Sequence, residues 1–455
     1  MVLKLTSSVT EEKRYDIAII GGGVLGASLY HWITSLREES VILIEKESDV
    51  AVHTSSRNTG VIHRPFYLDP SRKRVQARSA GISYSLWKEL AHASGSPWLE
   101  CGTIEVAKSE EDMKALERYS EWSLQNGLSS DDFSILTGEQ VSGIEPEVKC
   151  DGAFYSKTDV STEFGALTKA LFMRSGNSKS LITSNAEVLA IEENSDGCLI
   201  KCIINGRTTG ISAGLVMNAA GGSALKIAHG MGYAANYSVL FFRGEYWRVV
   251  PEYGGLISRN IYSVPRHTKY PFLDPHFISR ANGLKEIGPN AVLVGGPEVY
   301  EGISPADGNI LSSLMERPIR PKLNLVFNRE FVSLVSSEWK SSFYKSEMAR
   351  RVREFIPGIE TGFLSSRGFS GVRGSLIDKS GFVPEAIVEF GKRSVHILNY
   401  NSPGATGAPA YAVHIVRMMM EKGYLGDLNF GKSKISGSWD FDKISDLMVS
   451  GASAA

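Results

Sequence analysis

Gly21-x-Gly23-x-x-Gly26, followed at the end of the next apolar run by Glu45, has the plainest chemical meaning in this chain. At that spacing the first glycine allows a tight turn, the second admits a pyrophosphate to the backbone, and the third lets a helix lie close on a sheet. The free N–H groups and positive dipole end of that helix then face the phosphates. A carboxylate at 45 can accept both ribose hydroxyls of an adenosine, and an acid there disfavours a 2′-phosphate. The chemistry is dinucleotide binding, FAD or NAD; the plainer alternative is a glycine-rich turn that holds no ligand. The elements needed to position it are present. The apolar run from Tyr15 to Ile20 enters the turn, an amphipathic stretch follows, and a second apolar run, Val41 to Ile44, ends on the acid, which together make one βαβ unit.

At 455 residues the chain exceeds one simple core and implies two domains or one interrupted domain. Its 49 basic and 50 acidic residues balance, so no overall field favours nucleic acid or anionic lipid. The longest mostly apolar stretch, 17–33, contains Gly21-Gly22-Gly23, which argues against a spanning helix. No signal-peptide pattern precedes it. Cys101, Cys150, Cys198 and Cys202 form no CxxC pair, so free thiols are expected rather than a metal site or a disulfide. A cytoplasmic protein, peripheral to a membrane at most, is the expectation.

Periodicity predicts helices over 70–95, 110–126, 137–143 and 162–173, with strands over 102–107 and 182–192. A hairpin is expected around Asn205-Gly206, then a separate buried strand over 215–218 that runs into a glycine turn. A block rich in Pro, Arg and aromatics fills 233–360. Strand 396–400, a glycine loop and helix 410–421 follow, and a polar, frayed tail is expected over 437–455. The expected cofactor domain is discontinuous, 14–75, 160–232 and 366–430, with a substrate domain of 76–159 and 233–365. Such interruption favours FAD over NAD.

Several segments resemble the D-amino-acid-oxidase-like FAD-dependent oxidoreductase superfamily. Ser55-Ser-Arg-Asn-Thr-Gly60 is similar to its loop along the FAD pyrophosphate and flavin. Val216-Met-Asn-Ala-Ala-Gly-Gly222 is similar to its "VNAAG" strand, and Gly371-Val-Arg-Gly374 to its segment beside the substrate. Within the superfamily, Arg57-Asn-Thr-Gly-Val-Ile-His63, Phe242-Arg-Gly-Glu-Tyr246, Tyr270-Pro-Phe-Leu-Asp-Pro-His276, Gly288-Pro-Asn-Ala-Val-Leu293 and Asn401-Ser-Pro-Gly-Ala-Thr406 resemble motifs of L-2-hydroxyglutarate dehydrogenase/oxidase. The chain departs from that pattern at Arg64-Pro65 and Asp274-Pro275.

The resemblance implies an α/β (α+β) architecture: a two-domain, glutathione-reductase-like FAD-binding Rossmann fold with an inserted antiparallel-sheet substrate domain. It places Gly21, Gly23, Val24, Leu25 and Gly26 at the diphosphate, and Glu45 and Lys46 at the adenosine ribose. Ser55, Ser56, Asn58, Thr59 and Gly60 follow the cofactor, with Val188, Ala220, Gly221, Gly371, Arg373, Gly404, Ala405 and Thr406 as further contacts. FAD is expected to be noncovalent, because His63 lacks the tryptophan–histidine context used for covalent attachment in some relatives.

The implied reaction is hydride transfer to flavin N5 from an L-2-hydroxy acid, most plausibly L-2-hydroxyglutarate, yielding the 2-oxo acid. It needs a base near neutral pKa, for which His63 and His276 are the candidates, with no choice between them. The loop 402–407 could stabilise the reduced flavin's anionic edge with its N–H groups. Arg373 matches the superfamily's carboxylate clamp, and Arg243 and Arg280 are candidates for a second carboxylate. Tyr246 and Asn401 are pocket candidates; Arg64 faces the pocket mouth or a neighbouring loop. Quinone, another acceptor or oxygen would take the electrons. A sister oxidoreductase acting on an amino acid, a secondary amine or glycerol 3-phosphate, and a non-catalytic FAD-binding subunit, are the alternatives.

Overall fold

The computed structural model describes residues 13–267, 269–271, 274–302, 310–425 and 437–450. The strand Arg14–Ile20 buries its last four residues. It lies between two parallel neighbours, Val41–Ile44 and the end of Arg207–Asn218. A strand enclosed in this way carries apolar residues on both faces, which gives a continuous apolar run rather than an alternation. Ile17 and Ile19 face a core shared with helices Val24–Leu36, Arg74–Ser94, Phe164–Arg174 and Gly404–Glu421. Tyr15, Ala18 and Ile20 face a second cluster over the Cys198–Ile204 hairpin. The whole sheet has eight strands: Ala186–Glu193, Cys198–Ile204, Arg207–Asn218, Arg14–Ile20, Val41–Ile44 and Leu181–Thr183 in order, with Ser394–Leu398 on Arg207–Asn218 and Ile387–Phe390 beyond it.

A ten-stranded, mostly antiparallel sheet stands against it. Its spine is the long pair Ser238–Val249 and Leu364–Asp378, which runs from Ser238↔Ile377 to Val249↔Leu364 with register shifts between Glu245 and Trp247 and between Trp247 and Val249. A third sheet of three short strands, Val61–Ile62, Val160–Thr162 and Trp98–Leu99, bridges distant parts of the chain. The mixed architecture agrees with the expected fold class. Among the described residues, no helix is long and apolar enough to cross a membrane.

Five expectations are corrected. The 207–218 segment is one continuous strand, because its first half pairs with Cys198–Ile204 and its second half with Arg14–Ile20. Helix Arg74–Ser94 packs on Gly404–Glu421 in the nucleotide-side core, so a substrate block starting at 76 cuts through it. The expected boundary at 366 likewise falls inside Leu364–Asp378, a strand of the ten-stranded sheet. The last helix starts at Gly404, not 410, although it contains Pro409. Proline removes the N–H that would reach the carbonyl four residues back; the indole N–H of Trp87 serves the carbonyls of Ala405 and Thr406 instead, at 3.2 and 2.9 Å.

The tail is the fifth correction. Residues 451–455 lie outside the described part, but helix Phe441–Ser450 is packed rather than frayed. Trp439 is fully buried, with its ring centroid 5.7 Å from that of Trp32 and 6.5 Å from that of Trp87, and Phe441 and Ile444 join the same core. Its small and polar composition hid an apolar stripe at helical spacing. Trp439→Ala is expected to cost about 3–5 kcal/mol, as for other large-to-small changes in a core, and chemical denaturation measures it.

Candidate active site

Residues from both large sheets line one cavity of about 760 Å³. At one end, Gly21 has a φ of 101°, and a Cβ on Gly26 would lie 1.9 Å from the Gly21 carbonyl oxygen. The turn can therefore press against helix Val24–Leu36 only with glycine at both places. That helix starts with no side-chain cap and no acid in its first turn, and the N–H of Val24 donates to Ser55 Oγ at 2.9 Å. Glu45 holds the turn from the next strand, with Oε2 accepting from the Gly22 N–H at 2.6 Å and Oε1 from the Glu47 N–H at 2.8 Å. Each oxygen keeps a second lone pair for a hydroxyl.

Gly21, Gly23, Val24, Leu25, Glu45 and Lys46 line this end. Ser55, Asn58 and Thr59 line the next wall, with Val188, Ala220 and Gly221 also on the cavity. Gly26, Ser56 and Gly60 are not on its surface. Gly26 provides the close helix contact. Ser56 Oγ donates to the Ala51 carbonyl, and the Gly60 N–H donates to Asn58 Oδ1 at 2.8 Å. Gly371 lines the wall where a Cβ would come within 1.8 Å of the Arg57 carbonyl oxygen, so strand and loop meet there backbone to backbone. At the far end Asn401, Gly404, Ala405 and Thr406 lie on the cavity, where helix Gly404–Glu421 also begins uncapped and without an acid.

The two histidines part company. His63 lines the cavity; its Nδ1 lies 2.7 Å from Asp159 Oδ2 and its Nε2 3.2 Å from the Tyr262 hydroxyl. His276 is not on the cavity. It stacks on Tyr262 at 4.0 Å, its Nδ1 reaches the Asp274 carbonyl at 3.1 Å, and burial pulls its pKa down to about 3. That correction leaves His63 as the one of the two with access.

The arginines part in the same way. Arg373 lines the cavity, donates to the Pro271 carbonyl, and has no carboxylate partner among the described residues. Burial lowers its pKa to about 10. Phe242, Gly244 and Tyr246 line the cavity, whereas Arg243 between them turns to the other face of the strand. There Arg243 pairs with Glu245 at 2.9 Å and donates to the Gly302 carbonyl at 2.8 Å. Arg280 is also off the cavity; it pairs with Glu286 at 2.7 Å and donates to the Asn58 carbonyl at 2.6 Å. Both are braces where carboxylate ligands were expected. Arg64 lies over Tyr84 at 4.4 Å and reaches Asp132 at 3.6 Å, which places it on a neighbouring loop.

Asp159 and Tyr262 escaped the sequence reading, as did Arg57, which lines the cavity and lies 4.0 Å above the Tyr300 ring. No local pattern marks Asp159. Only the pairing of Val61–Ile62 with Val160–Thr162, in the register Ile62↔Val160, brings it opposite His63.

The family model described as FAD dependent oxidoreductase matches residues 16–418. The chain belongs to this family. Among its curated relatives are L-2-hydroxyglutarate dehydrogenases. The mitochondrial protein of Mus musculus is 31% identical, covering 89% of this chain and 87% of its own. The protein of Escherichia coli strain K12 is 27% identical, covering 88% and 92%. Of solved structures, L-α-glycerophosphate oxidase from Mycoplasma pneumoniae with FAD bound has a TM-score of 0.69 at 22% identity, covering 90% of this chain and 95% of that one. Glycine oxidase from Geobacillus kaustophilus gives 0.63 at 18%, covering 93% and 100%. The chain is thus an enzyme, an FAD-dependent oxidoreductase, and FAD is its cofactor.

The site fits that cofactor. Two helices start at the cavity with their positive ends uncompensated, and glycine stands wherever a side chain would collide with the surrounding turn or strand. Gly26→Ala is expected to abolish retention of FAD through gel filtration, read as loss of flavin absorbance. Arg243→Met is expected to lower stability by about 3 kcal/mol, the small end for removing one partner of a buried pair, because Glu245 keeps Arg367 and Asn290. In the folded variant, the substrate concentration that half-reduces the flavin should not change.

Proposed function

We propose that this FAD-dependent oxidoreductase converts an L-2-hydroxy acid, L-2-hydroxyglutarate in particular, to the 2-oxo acid. Arg373 carries the reading: a guanidinium, half-buried on the cavity wall and free of any carboxylate among the described residues, calls for an anionic ligand. The names of the relatives supply the candidate, a carboxylate-bearing hydroxy acid.

In this reading Arg373 grips the substrate carboxylate as a fork, which fixes the direction of the Cα–H bond. His63 takes the hydroxyl proton at Nε2. Phe242 and Tyr246 form an apolar wall that keeps water from the reacting carbon. Bound FAD supplies the two-electron acceptor, and a quinone or another oxidant relieves it of the electrons. Gly21, Val24 and Glu45 would hold its adenosine diphosphate, and Gly404 to Thr406 its ring.

Anaerobic L-2-hydroxyglutarate is expected to bleach the flavin, whereas glycine, sarcosine and glycerol 3-phosphate leave it yellow. Bleaching by one of those three instead overturns the substrate assignment. Arg373→Lys, which loses the fork, is expected to raise the half-bleaching concentration by roughly ten- to a hundredfold, equivalent to the ~1.5–3 kcal/mol of a hydrogen bond to a charged group. Acid precipitation should leave a colourless pellet and a yellow supernatant.

A further inference from the structure

His63 and Asp159 lie opposite each other at the end of a two-residue strand pair, although they are 96 positions apart in the chain. Asp159 is completely buried. Three groups reach its two oxygens: Oδ2 meets His63 Nδ1 at 2.7 Å, and Oδ1 accepts from the Arg64 N–H at 2.8 Å and the Ser156 hydroxyl at 2.7 Å. Among the described residues no Lys or Arg side chain pairs with it, and His63 is its one ion-pair partner. A buried carboxylate is costly unless hydrogen-bonded and paired, so this one is built around the imidazole.

We propose that Asp159 is a positioning residue for His63, holding the proton on Nδ1 so that Nε2 presents a lone pair to the substrate hydroxyl. The inference rests on the hydroxy-acid reading for its substrate, not for its geometry. Tyr262 is compatible with it: its hydroxyl, 3.2 Å from Nε2, can donate to that nitrogen in the resting enzyme and yields the position when the substrate hydroxyl arrives. A carboxylate can only accept, so the Nδ1 that lies 2.7 Å from Asp159 Oδ2 carries the ring proton and Nε2 is left without it. When the substrate O–H bond breaks, its proton bonds to Nε2, and the oxygen's electron pair forms the C=O bond as Cα gives its hydride to the cofactor. The imidazolium so formed lies against the Asp159 charge.

The other ionisable groups around the pair are Tyr67, Tyr84, Glu105, Cys101, His276 and Arg280. Burial and the nearby Asp159 push Glu105 up to about 8, so it is largely neutral near pH 7. Arg280 is committed to Glu286. Among the described residues, His63 is the ionisable side chain in hydrogen-bond contact with Asp159.

Three measurements on the holoenzyme decide the matter. Asp159→Asn keeps an oxygen for Arg64 and Ser156 but offers an N–H to Nδ1, which drives the ring proton to Nε2. With saturating L-2-hydroxyglutarate the limiting rate of flavin reduction is expected to fall by about a hundredfold or more, the scale of general base catalysis, with little change in the half-saturating concentration. In a His63→Gln background the same substitution is expected to cost less than about threefold, because its effect passes through His63. Equal losses in both backgrounds overturn the proposal in favour of a packing role. The third measurement, nitrogen-15 and proton NMR of the imidazoles in the resting enzyme, needs no substrate. A hydrogen-bonded Nδ1–H signal is expected in the wild type and absent from His63→Gln, and an Nε2–H tautomer at His63 overturns the proposal even if Asp159→Asn does not fold. Should the hydroxy acid fail to reduce wild-type flavin, the substrate reading falls while the tautomer measurement still decides the role of Asp159.

Discussion

The Gly21 carbonyl and the Cα of Gly26 touch so closely that a single added carbon would lie 1.9 Å from the oxygen. That contact sets helix Val24–Leu36 directly on the parallel strands and brings its first N–H groups to the cavity wall. Neighbouring parts then take their places from this junction. Glu45 ties the turn to the second strand, Ser55 binds the helix start, and the Ser55–Gly60 loop leads on to Val61–Ile62 and His63. The helix end, the loop and the short strand form one connected path along the cavity from Gly21 to His63.

Much of this was readable along the chain because local pattern decided it. The βαβ unit announces itself through two continuous apolar runs and three glycines, and the Asn205-Gly206 turn sits where the Cys198–Ile204 hairpin closes. What escaped was settled across the chain. Trp439 looks like a stray aromatic in a polar tail until Trp32, Trp87 and His31 enclose it. Pro409 looks like a helix stop until Trp87 takes over the carbonyls nearby. Asp159 has no motif, because its partner is brought to it by strand register.

The arginines show why residue type and motif could nominate site residues without sorting them. Arg243 and Tyr246 stand in one motif on one strand, yet strand alternation sends Arg243 to Glu245 and keeps Tyr246 on the cavity. Arg280 has the chemistry of a carboxylate ligand, but Glu286 occupies it and the Asn58 carbonyl directs it to brace the loop. Of the three arginines nominated for a carboxylate, Arg373 is the one that combines access with the lack of an acidic partner among the described residues. Its energetic cost in the resting protein is a cation left without a counter-charge, which the proposed carboxylate substrate would supply.

The three-stranded sheet that carries His63 and Asp159 is small, but it frees the pair from chain proximity. Whatever joins residue 64 to residue 158 matters to the pair only through where it returns the backbone. Exposed loops in that span can gain or lose residues over evolutionary time without parting the two. A shift of one residue in the pairing of Val61–Ile62 with Val160–Thr162 has the opposite character, since it turns the carboxylate to the wrong face at once. Divergence in this protein is therefore expected to be tolerant in length and intolerant in register.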